Sequence, residues 1–85
     1  MKVKLLFFAS LREQLGSGGE EFELPAGVAT VAALRAHLAG RGGAWHSALA
    51  DEKLLRMAVN QDIVKPGAPI KPGDEIAFFP PVTGG

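Results

Sequence analysis

The sequence predicts a small α+β domain in which one main helix packs across one face of a mixed β-sheet. Two observations support this prediction. Alternating apolar residues, the pattern of a strand, occur near both ends of the chain, at residues 2–8 and 75–79. Between them, Val31, Leu34 and Leu38 recur at the spacing of one helix face. A chain of 85 residues has room for one thin core. The helix and the sheet are therefore expected to bury that core together.

Local start and stop signals predict the remaining elements. Residues 10–13, Ser-Leu-Arg-Glu, have the pattern of a capping box and predict a short helix over residues 11–15 that ends at Gly16. Thr30 is the predicted N-cap of the main helix, which ends at Gly40. The other predicted elements are strands at 21–24, 55–60 and 63–64, short helical turns at 44–49 anchored by Trp45, and turns at 60–62 and 71–74, the last of type II.

The composition argues against several classes of function. The chain has no cysteine, which excludes disulfides, thiolate nucleophiles and cysteine-ligated metal centres. His37 and His46 lack metal-ligand spacing to carboxylates, so no metal site is expected, and His37 is predicted to be a solvated helix residue. Nine basic residues balance nine acidic ones and are scattered along the chain. Neither nucleic acid nor a membrane is therefore an expected partner.

Two local patterns resemble functional motifs without completing them. The apolar stretch near the N-terminus is too short for a signal peptide and is followed by Arg12 and Glu13 instead of a small-residue cleavage site. Since no apolar run has transmembrane length, a cytoplasmic protein is expected. The glycine-rich residues 16–19 precede neither Gly-Lys-Ser/Thr nor a helix start, so they predict a loop and not a phosphate cradle.

Four of the five phenylalanines form adjacent pairs, Phe7-Phe8 in the first strand and Phe78-Phe79 in the last. Neighbouring strand residues point to opposite faces. The alternation therefore assigns Phe7 and Phe78 to the core and Phe8 and Phe79 to the open face, where Ile63 extends the same surface. Exposed paired aromatic rings are typical of a partner-binding surface. The alternative is that the short helices or the tail cover them.

The chain ends in two prolines followed by residues 82–85, Val-Thr-Gly-Gly. The prolines have no N–H for a strand ladder, so they end the last strand and stiffen the exit. The four residues after them reach roughly 13–14 Å when extended. Terminal glycines contribute little to a fold but suit a carboxylate that is threaded into a narrow pocket. The predicted division is a domain over residues 1–81 and a flexible tail over residues 82–85; the alternative is an ordinary frayed terminus.

The ending FFPPVTGG, residues 78–85, resembles the signature tail of the small subunit of molybdopterin synthase. Residues 7–13, FFASLRE, resemble the first strand and helix start of the same family. Residues 59–61, VNQ, and 72–74, PGD, resemble its later strand and turn. The match spans the chain in the family's order. It implies a ubiquitin-like β-grasp fold and a sulfur-carrier function.

The resemblance also implies a reaction at the C-terminus. An adenylating, E1-like enzyme uses ATP to activate the carboxylate of Gly85, and a persulfide-type sulfur donor then displaces AMP to leave a thiocarboxylate. In the large subunit of a heterotetrameric synthase this sulfur passes to cyclic pyranopterin monophosphate, in molybdenum cofactor biosynthesis. The chain itself is expected to bind no cofactor. The implied site residues are Gly85 as the reacting terminus, Gly84 as the thin tail, and Phe8, Ile63, Phe79, Pro80, Pro81, Val82 and Thr83 as the partner-binding surface.

Two alternatives remain open at the level of sequence. One is a sulfur carrier for thiamine or cysteine biosynthesis, which has the same tail but a different acceptor; the Phe-Phe-Pro-Pro-Val context argues against it. The other is a ubiquitin-like protein modifier that is attached through Gly85 to lysines of target proteins. A β-grasp ferredoxin is excluded by the absence of cysteine.

Overall fold

The computed structural model describes residues 1–81, and the predicted tail over residues 82–85 lies outside them. Within the described chain, five strands form one mixed sheet in the order β2-β1-β5-β3-β4. The β1–β5 pair is parallel, and the other pairs are antiparallel. No helix within residues 1–81 is long and apolar enough to cross a membrane. The elements are β1 (Lys2–Phe7), α1 (Ser10–Leu15), β2 (Gly19–Glu23), α2 (Val31–Ala39), α3 (Gly43–Leu49), β3 (Arg56–Val59), β4 (Asp62–Val64) and β5 (Glu75–Phe79).

The core lies between the helices and one face of the sheet. In the central pair of strands, Leu5 lies opposite Ile76 and Phe7 opposite Phe78, and all four side chains are buried. The rings of Phe7 and Phe78 stack at 6.0 Å between centroids. Helix α2 covers them with its apolar stripe, as the residue spacing predicts. Trp45 of α3 packs edge-to-face on Phe7 at 5.4 Å, so its predicted role as an anchor at the rim of the core is confirmed.

Helix α2 begins and ends as the sequence predicts. The hydroxyl oxygen of Thr30 accepts a hydrogen bond from the N–H of Ala33 at 3.2 Å, which satisfies one of the free donors of the first turn. The three predicted apolar residues Val31, Leu34 and Leu38 are fully buried. Gly40 is the C-cap. The α+β class and the main helix across one sheet face are confirmed.

The predicted capping box at the start of α1 is wrong. Ser10 is the first helical residue, the N-cap is Ala9, and no side chain caps the helix. The reason is that the helix already includes Ser10: the carbonyl of Ala9 accepts from Glu13 N–H, and the carbonyl of Phe8 accepts from Leu11 N–H. The predicted end of the helix at Gly16 is confirmed, with Gly16 at φ 69°.

Several predicted strand boundaries shift by one or two residues. Strand β2 begins at Gly19, earlier than predicted, because this residue pairs with Leu6 of β1. Strand β3 is one residue shorter than predicted at each end, and at its C-terminal end the reason is a tight two-residue loop that follows Val59. That loop consists of Asn60 at φ 51° and Gln61 at φ 74°, the positive angles of a type I′ hairpin. It connects β3 directly to β4, which begins at Asp62.

The hairpin loop and the predicted type II turn are joined by side chains. Gly73 has φ 83°, and the N–H of Asp74 donates to the carbonyl of Lys71 at 3.1 Å, as a type II turn requires. The side-chain amide of Asn60 donates to Asp74 at 2.9 Å and accepts from the N–H of Glu75 at 3.0 Å. These bonds fix the start of β5 against the β3–β4 hairpin.

Candidate functional site

An apolar row crosses the sheet on the face that points away from the helices. Leu6 of β1 lies opposite Ala77 of β5, Ala77 opposite Ala58 of β3, and Ala58 opposite Ile63 of β4. Because Phe7, Phe78 and Met57 point into the core, their neighbours in the row point outward. The two alanines are only 5% and 8% exposed although no helix covers them, whereas Ile63 is 61% exposed. The small side chains of Ala58 and Ala77 therefore lie low in the middle of the row, as its floor, and the larger side chains of Leu6 and Ile63 stand at its two ends.

An aromatic row lies beside the apolar one, towards the C-terminal end of β5. Phe8 is 46% exposed, and its N–H donates to the carbonyl of Phe78 at 3.3 Å, which extends the β1–β5 ladder by one residue. Phe79 is half-buried and pairs with Arg56 of β3. The alternation predicted for both phenylalanine pairs is confirmed. We call the outward set the open-face patch; its members are Leu6, Phe8, Ala58, Ile63, Ala77 and Phe79.

The open-face patch forms an open groove that leads to the point where the chain leaves the sheet. The groove has a volume of about 700 Å³, and Pro80 lines it together with the patch. Pro80 and Pro81, which we call the tail exit, are both half-buried. Since a proline cannot donate to a strand ladder, β5 ends at Phe79. The groove and the start of the terminal segment are therefore one continuous surface.

Polar side chains border this surface at its other end. Glu75 and Gln61 line the groove there, and Lys4 pairs with Glu75 across β1 and β5. On the far side of Lys4, strand β2 contributes Glu21. At the tail exit the charged neighbour is Arg56, which is exposed. An apolar centre with a charged border is the usual anatomy of a protein-binding surface.

The predicted site residues fall into two groups. Phe8, Ile63, Phe79 and the two prolines of the tail exit line one side of the molecule, and all except Pro81 line the groove itself. The other predicted residues, Val82, Thr83, Gly84 and Gly85, lie outside the described residues.

Sequence reasoning missed the alanine floor, the exposed Leu54 and the hydrogen bonds of Arg35. Leu54 is 79% exposed and precedes β3. Arg35 of α2 donates from Nε to the carbonyl of Leu49 at 2.9 Å, and from Nη2 to the carbonyls of Ala50 and Lys53, both at 2.6 Å. The alternation through Leu55 and Met57 could have shown that Leu54 points outward. No local pattern predicts the Arg35 contacts.

A second polar cluster, on the helix side, is structural. The guanidinium group of Arg41 lies 4.4 Å from the ring centre of Trp45 and 5.2 Å from that of Phe22. It also makes two hydrogen bonds to the carboxylate of Glu20, at 2.9 and 3.2 Å. These contacts tie the α2–α3 loop to β2. His37, which the sequence predicts to be solvated, is exposed and lies beside Phe22.

Ionisable groups of the described chain also form an ion pair at the N-terminal end of the sheet. Within residues 1–81 no group of three or more histidine or carboxylate side chains is arranged to hold a metal ion. The N-terminal ammonium group donates a hydrogen bond to Glu23 and lowers the pKa of that carboxyl. This pair lies at the outer end of β2, opposite Lys2, and so is remote from the open-face patch.

The five-stranded mixed sheet, the single long helix across it and the apolar open face define a ubiquitin-like β-grasp protein. Its family follows from sequence: the model of the ThiS family matches residues 5–85, so the chain belongs to the ThiS family. The resemblance inferred from the terminal motif and the predicted β-grasp fold are confirmed.

The curated relatives match along nearly their whole length. The molybdopterin synthase sulfur carrier subunit of Escherichia coli (strain K12) is 51% identical over 83 residues, which cover 98% of this chain and 99% of the relative. The protein of the same name from Haemophilus influenzae is 47% identical over the same coverage.

Solved structures match the fold as well. SAMP1 from Haloferax volcanii superimposes with a TM-score of 0.75 at 29% identity, and all of both chains is covered. A chain from the complex of subunits 1 and 2 of the molybdopterin-converting factor of Helicobacter pylori 26695 superimposes with a TM-score of 0.69, also over all of both chains. At 24% identity this second likeness shows the fold alone.

Proposed function

We propose that this protein is the sulfur-carrier subunit of a molybdopterin synthase and that Gly85, as its terminal residue, carries the sulfur. The observation that supports this most directly is the continuity of the open-face patch with the tail exit, in a chain 51% identical to a sulfur carrier subunit of that enzyme. The open-face patch, which we propose docks on the large subunit, thus lies next to the tail exit, from which the Gly-Gly segment continues.

The chemistry begins with activation of a poor electrophile. A carboxylate resists nucleophilic attack, so an adenylating enzyme lets the Gly85 carboxylate oxygen attack the α-phosphate of ATP. Pyrophosphate leaves, and an acyl-adenylate with a good leaving group remains. A persulfide sulfur of a donor protein then displaces AMP. Cleavage of the resulting acyl disulfide by a thiol leaves a thiocarboxylate on Gly85.

The thiocarboxylate sulfur is the nucleophile of the synthase reaction. It attacks a carbon of cyclic pyranopterin monophosphate bound in the large subunit and displaces an oxygen substituent from that carbon, and hydrolysis of the acyl–sulfur bond then returns Gly85 to a carboxylate and leaves the sulfur on the pterin. A dithiolene contains two sulfur atoms, so spent carriers must exchange for loaded ones. Acid–base groups and the substrate pocket belong to the large subunit. This division of labour agrees with a described chain whose outward surface is a docking groove rather than a catalytic cleft.

Docking uses the open-face patch, and the tail delivers the sulfur. Phe8, Phe79 and Ile63 are the aromatic and aliphatic anchors that dominate such interfaces. Pro80 and Pro81 restrict the chain before it binds, which lowers the cost of ordering the segment that follows, roughly 1–2 kcal/mol per residue. Val82 and Thr83 belong to the proposed partner-binding segment, and Gly84 suits entry into a narrow pocket because it has no side chain. Since activation consumes ATP, we place the reaction in the cytoplasm.

Reconstitution with purified proteins tests this proposal. The chain is incubated with an adenylating enzyme, ATP and a persulfide donor, and then with the large subunit and the pterin precursor. We expect an intact mass in which one oxygen is replaced by sulfur at Gly85, followed by molybdopterin formation. A thiocarboxylate that is consumed only by a thiamine or cysteine biosynthetic acceptor would contradict the proposal. Isopeptide-linked conjugates in place of sulfur transfer would indicate a protein modifier instead.

A further inference from the structure

Leu54 is an exposed apolar side chain that the open-face patch does not include. At 79% exposure it exceeds Ile63 at 61%, Met1 at 47% and Phe8 at 46%, the other exposed large hydrophobic residues of the described chain. It lies in the segment between α3 and β3. An exposed leucine alone has little meaning. The position of Leu54 relative to the tail exit, however, indicates a function for it.

Strand register places Leu54 beside the tail exit. Arg56 pairs with Phe79 and Met57 with Phe78 in the antiparallel β3–β5 ladder. The ladder ends at the Arg56–Phe79 pair; continued two residues further in the same register, it would set Leu54 level with Pro81. The side on which it lies follows from its neighbours. Leu55 packs against the core, whereas Leu54 is 79% exposed and so points away from the core.

The backbone that presents Leu54 is held in place. Arg35 donates hydrogen bonds to the carbonyl of Leu49 at the end of α3 and to the carbonyls of Ala50 and Lys53 in the α3–β3 connection, and Lys53 directly precedes Leu54. The N–H of Lys53 also donates to the carbonyl of Ala50 at 2.9 Å. An anchor whose backbone is fixed in the free protein loses less entropy on binding than one on an unrestrained loop.

The length of chain beyond Pro81 limits how far away a partner can be. Four residues separate Pro81 from the reacting carboxylate, and fully extended they span roughly 14 Å at most. The mouth of any pocket that accepts Gly85 must therefore lie within that distance of Pro81. A protein surface surrounding such a mouth covers both flanks of the tail exit, Phe8 on the β1 side and Leu54 on the β3 side.

We propose that Leu54 is a docking residue for the large subunit and packs against an apolar area beside the mouth of its active-site pocket. This inference rests on the function proposed above and adds a second flank to the surface predicted from the phenylalanines. Leu54 contributes to affinity and not to the sulfur-transfer step, because it lies level with Pro81 and not at the terminus.

The test compares Leu54→Ala with Ala36→Ser, an exposed position on α2 at the opposite face. Calorimetric titration measures the affinity of each unmodified chain for the purified large subunit, and thermal melting measures its stability. We expect Leu54→Ala to weaken binding about tenfold, a loss typical of an interface anchor, with an unchanged melting temperature. Ala36→Ser should match the wild-type protein in both measurements. Single-turnover sulfur transfer at subsaturating large subunit should fall in step with the affinity in Leu54→Ala and stay at the wild-type rate in Ala36→Ser.

The same experiment separates this inference from the proposed function. If wild-type thiocarboxylate yields molybdopterin but Leu54→Ala binds as tightly as wild type, the docking role is wrong and the sulfur-carrier function stands. A lower melting temperature with unchanged affinity would likewise show that Leu54 supports the fold and does not dock. If the wild-type thiocarboxylate yields no product with the large subunit, the sulfur-carrier function itself fails.

Discussion

Ala58 and Ala77 lie directly opposite each other in the β3–β5 ladder and form the floor of the groove on the open face. Both are nearly inaccessible to solvent because larger side chains flank them, with Leu6 on one side and Ile63 on the other. The depth of the groove thus depends on two small residues at paired positions. A partner side chain can enter only because no branched side chain stands there.

Ala77→Leu is expected to fill the groove and block docking while the fold persists. The added atoms point into open space of about 700 Å³ and away from the core, so the melting temperature should change little. The affinity for the large subunit should fall about tenfold or more, because the floor on which partner side chains rest is raised. Titration calorimetry measures this, with Ala36→Leu on the outer side of α2 as the matched control. Equal affinities for the two variants would show that the groove is not the docking site.

Phe7 and Phe8 are adjacent in sequence, but alanine at the two positions should have opposite consequences. Phe7 is 1% exposed and stacked in the core, so Phe7→Ala is expected to lower the free energy of unfolding by about 3–5 kcal/mol. Phe8 is 46% exposed, so Phe8→Ala should leave the free energy of unfolding nearly unchanged and weaken large-subunit binding by more than about 1 kcal/mol. Urea unfolding and calorimetry on both variants check this. A Phe8→Ala variant that unfolds easily and binds normally would place that ring in the core.

Ala9 has a strained backbone, and glycine should relieve the strain. Its φ of 54° and ψ of −133° lie in a region that side chains with a Cβ disfavour at a cost of roughly 1–3 kcal/mol. Glycine accepts these angles but loses more entropy on folding, by roughly 0.4–1 kcal/mol. Ala9→Gly should therefore raise the free energy of unfolding by about 1 kcal/mol, measured in urea. Ala36→Gly within α2 is the control and should lower it by about 1 kcal/mol. A fall for both variants would mean that Ala9 is not strained.

Arg35 stabilises the connection between α3 and β3 through the carbonyls to which it donates. Arg35→Met keeps the length of the side chain but removes all three hydrogen bonds, so the free energy of unfolding should fall by about 2 kcal/mol. Arg56→Met, at an exposed arginine of β3, is the control and should change it by less than about 0.5 kcal/mol. Chemical denaturation measures both. Indistinguishable unfolding curves for the two variants would contradict the anchoring role of Arg35.

The sequence was sufficient to predict whatever depends on local periodicity. Alternation along a strand assigned each ring of the two phenylalanine pairs to its correct face, and the spacing of Val31, Leu34 and Leu38 identified the helix that covers the core. The cap at Thr30 was also predictable, because the hydroxyl acceptor and the Ala33 N–H donor are only three residues apart in the sequence.

Features that depend on distant pairing could not be read from the chain. The alanine floor exists because of the register of β3 on β5, which no local pattern specifies. The contacts of Arg35 join residues 14 to 18 positions apart. The error at Ser10 has a different origin: its pattern fits a capping box, but the helix begins one residue earlier, with Ala9 as the N-cap and Ser10 inside the first turn.

The reacting terminus is the centre of the functional account, and removal of one residue tests it directly. Gly85 is deleted, so that the chain ends at Gly84 with the described domain unchanged, and molybdopterin formation is measured with the activating enzyme, ATP, a persulfide donor and the large subunit. Because the carboxylate is then about 3.5 Å short of the reacting position, we expect product formation to be abolished while the melting temperature and the affinity conferred by the open-face patch are retained. Wild-type rates of molybdopterin formation from the shortened chain would contradict the assignment of Gly85 as the sulfur-carrying residue.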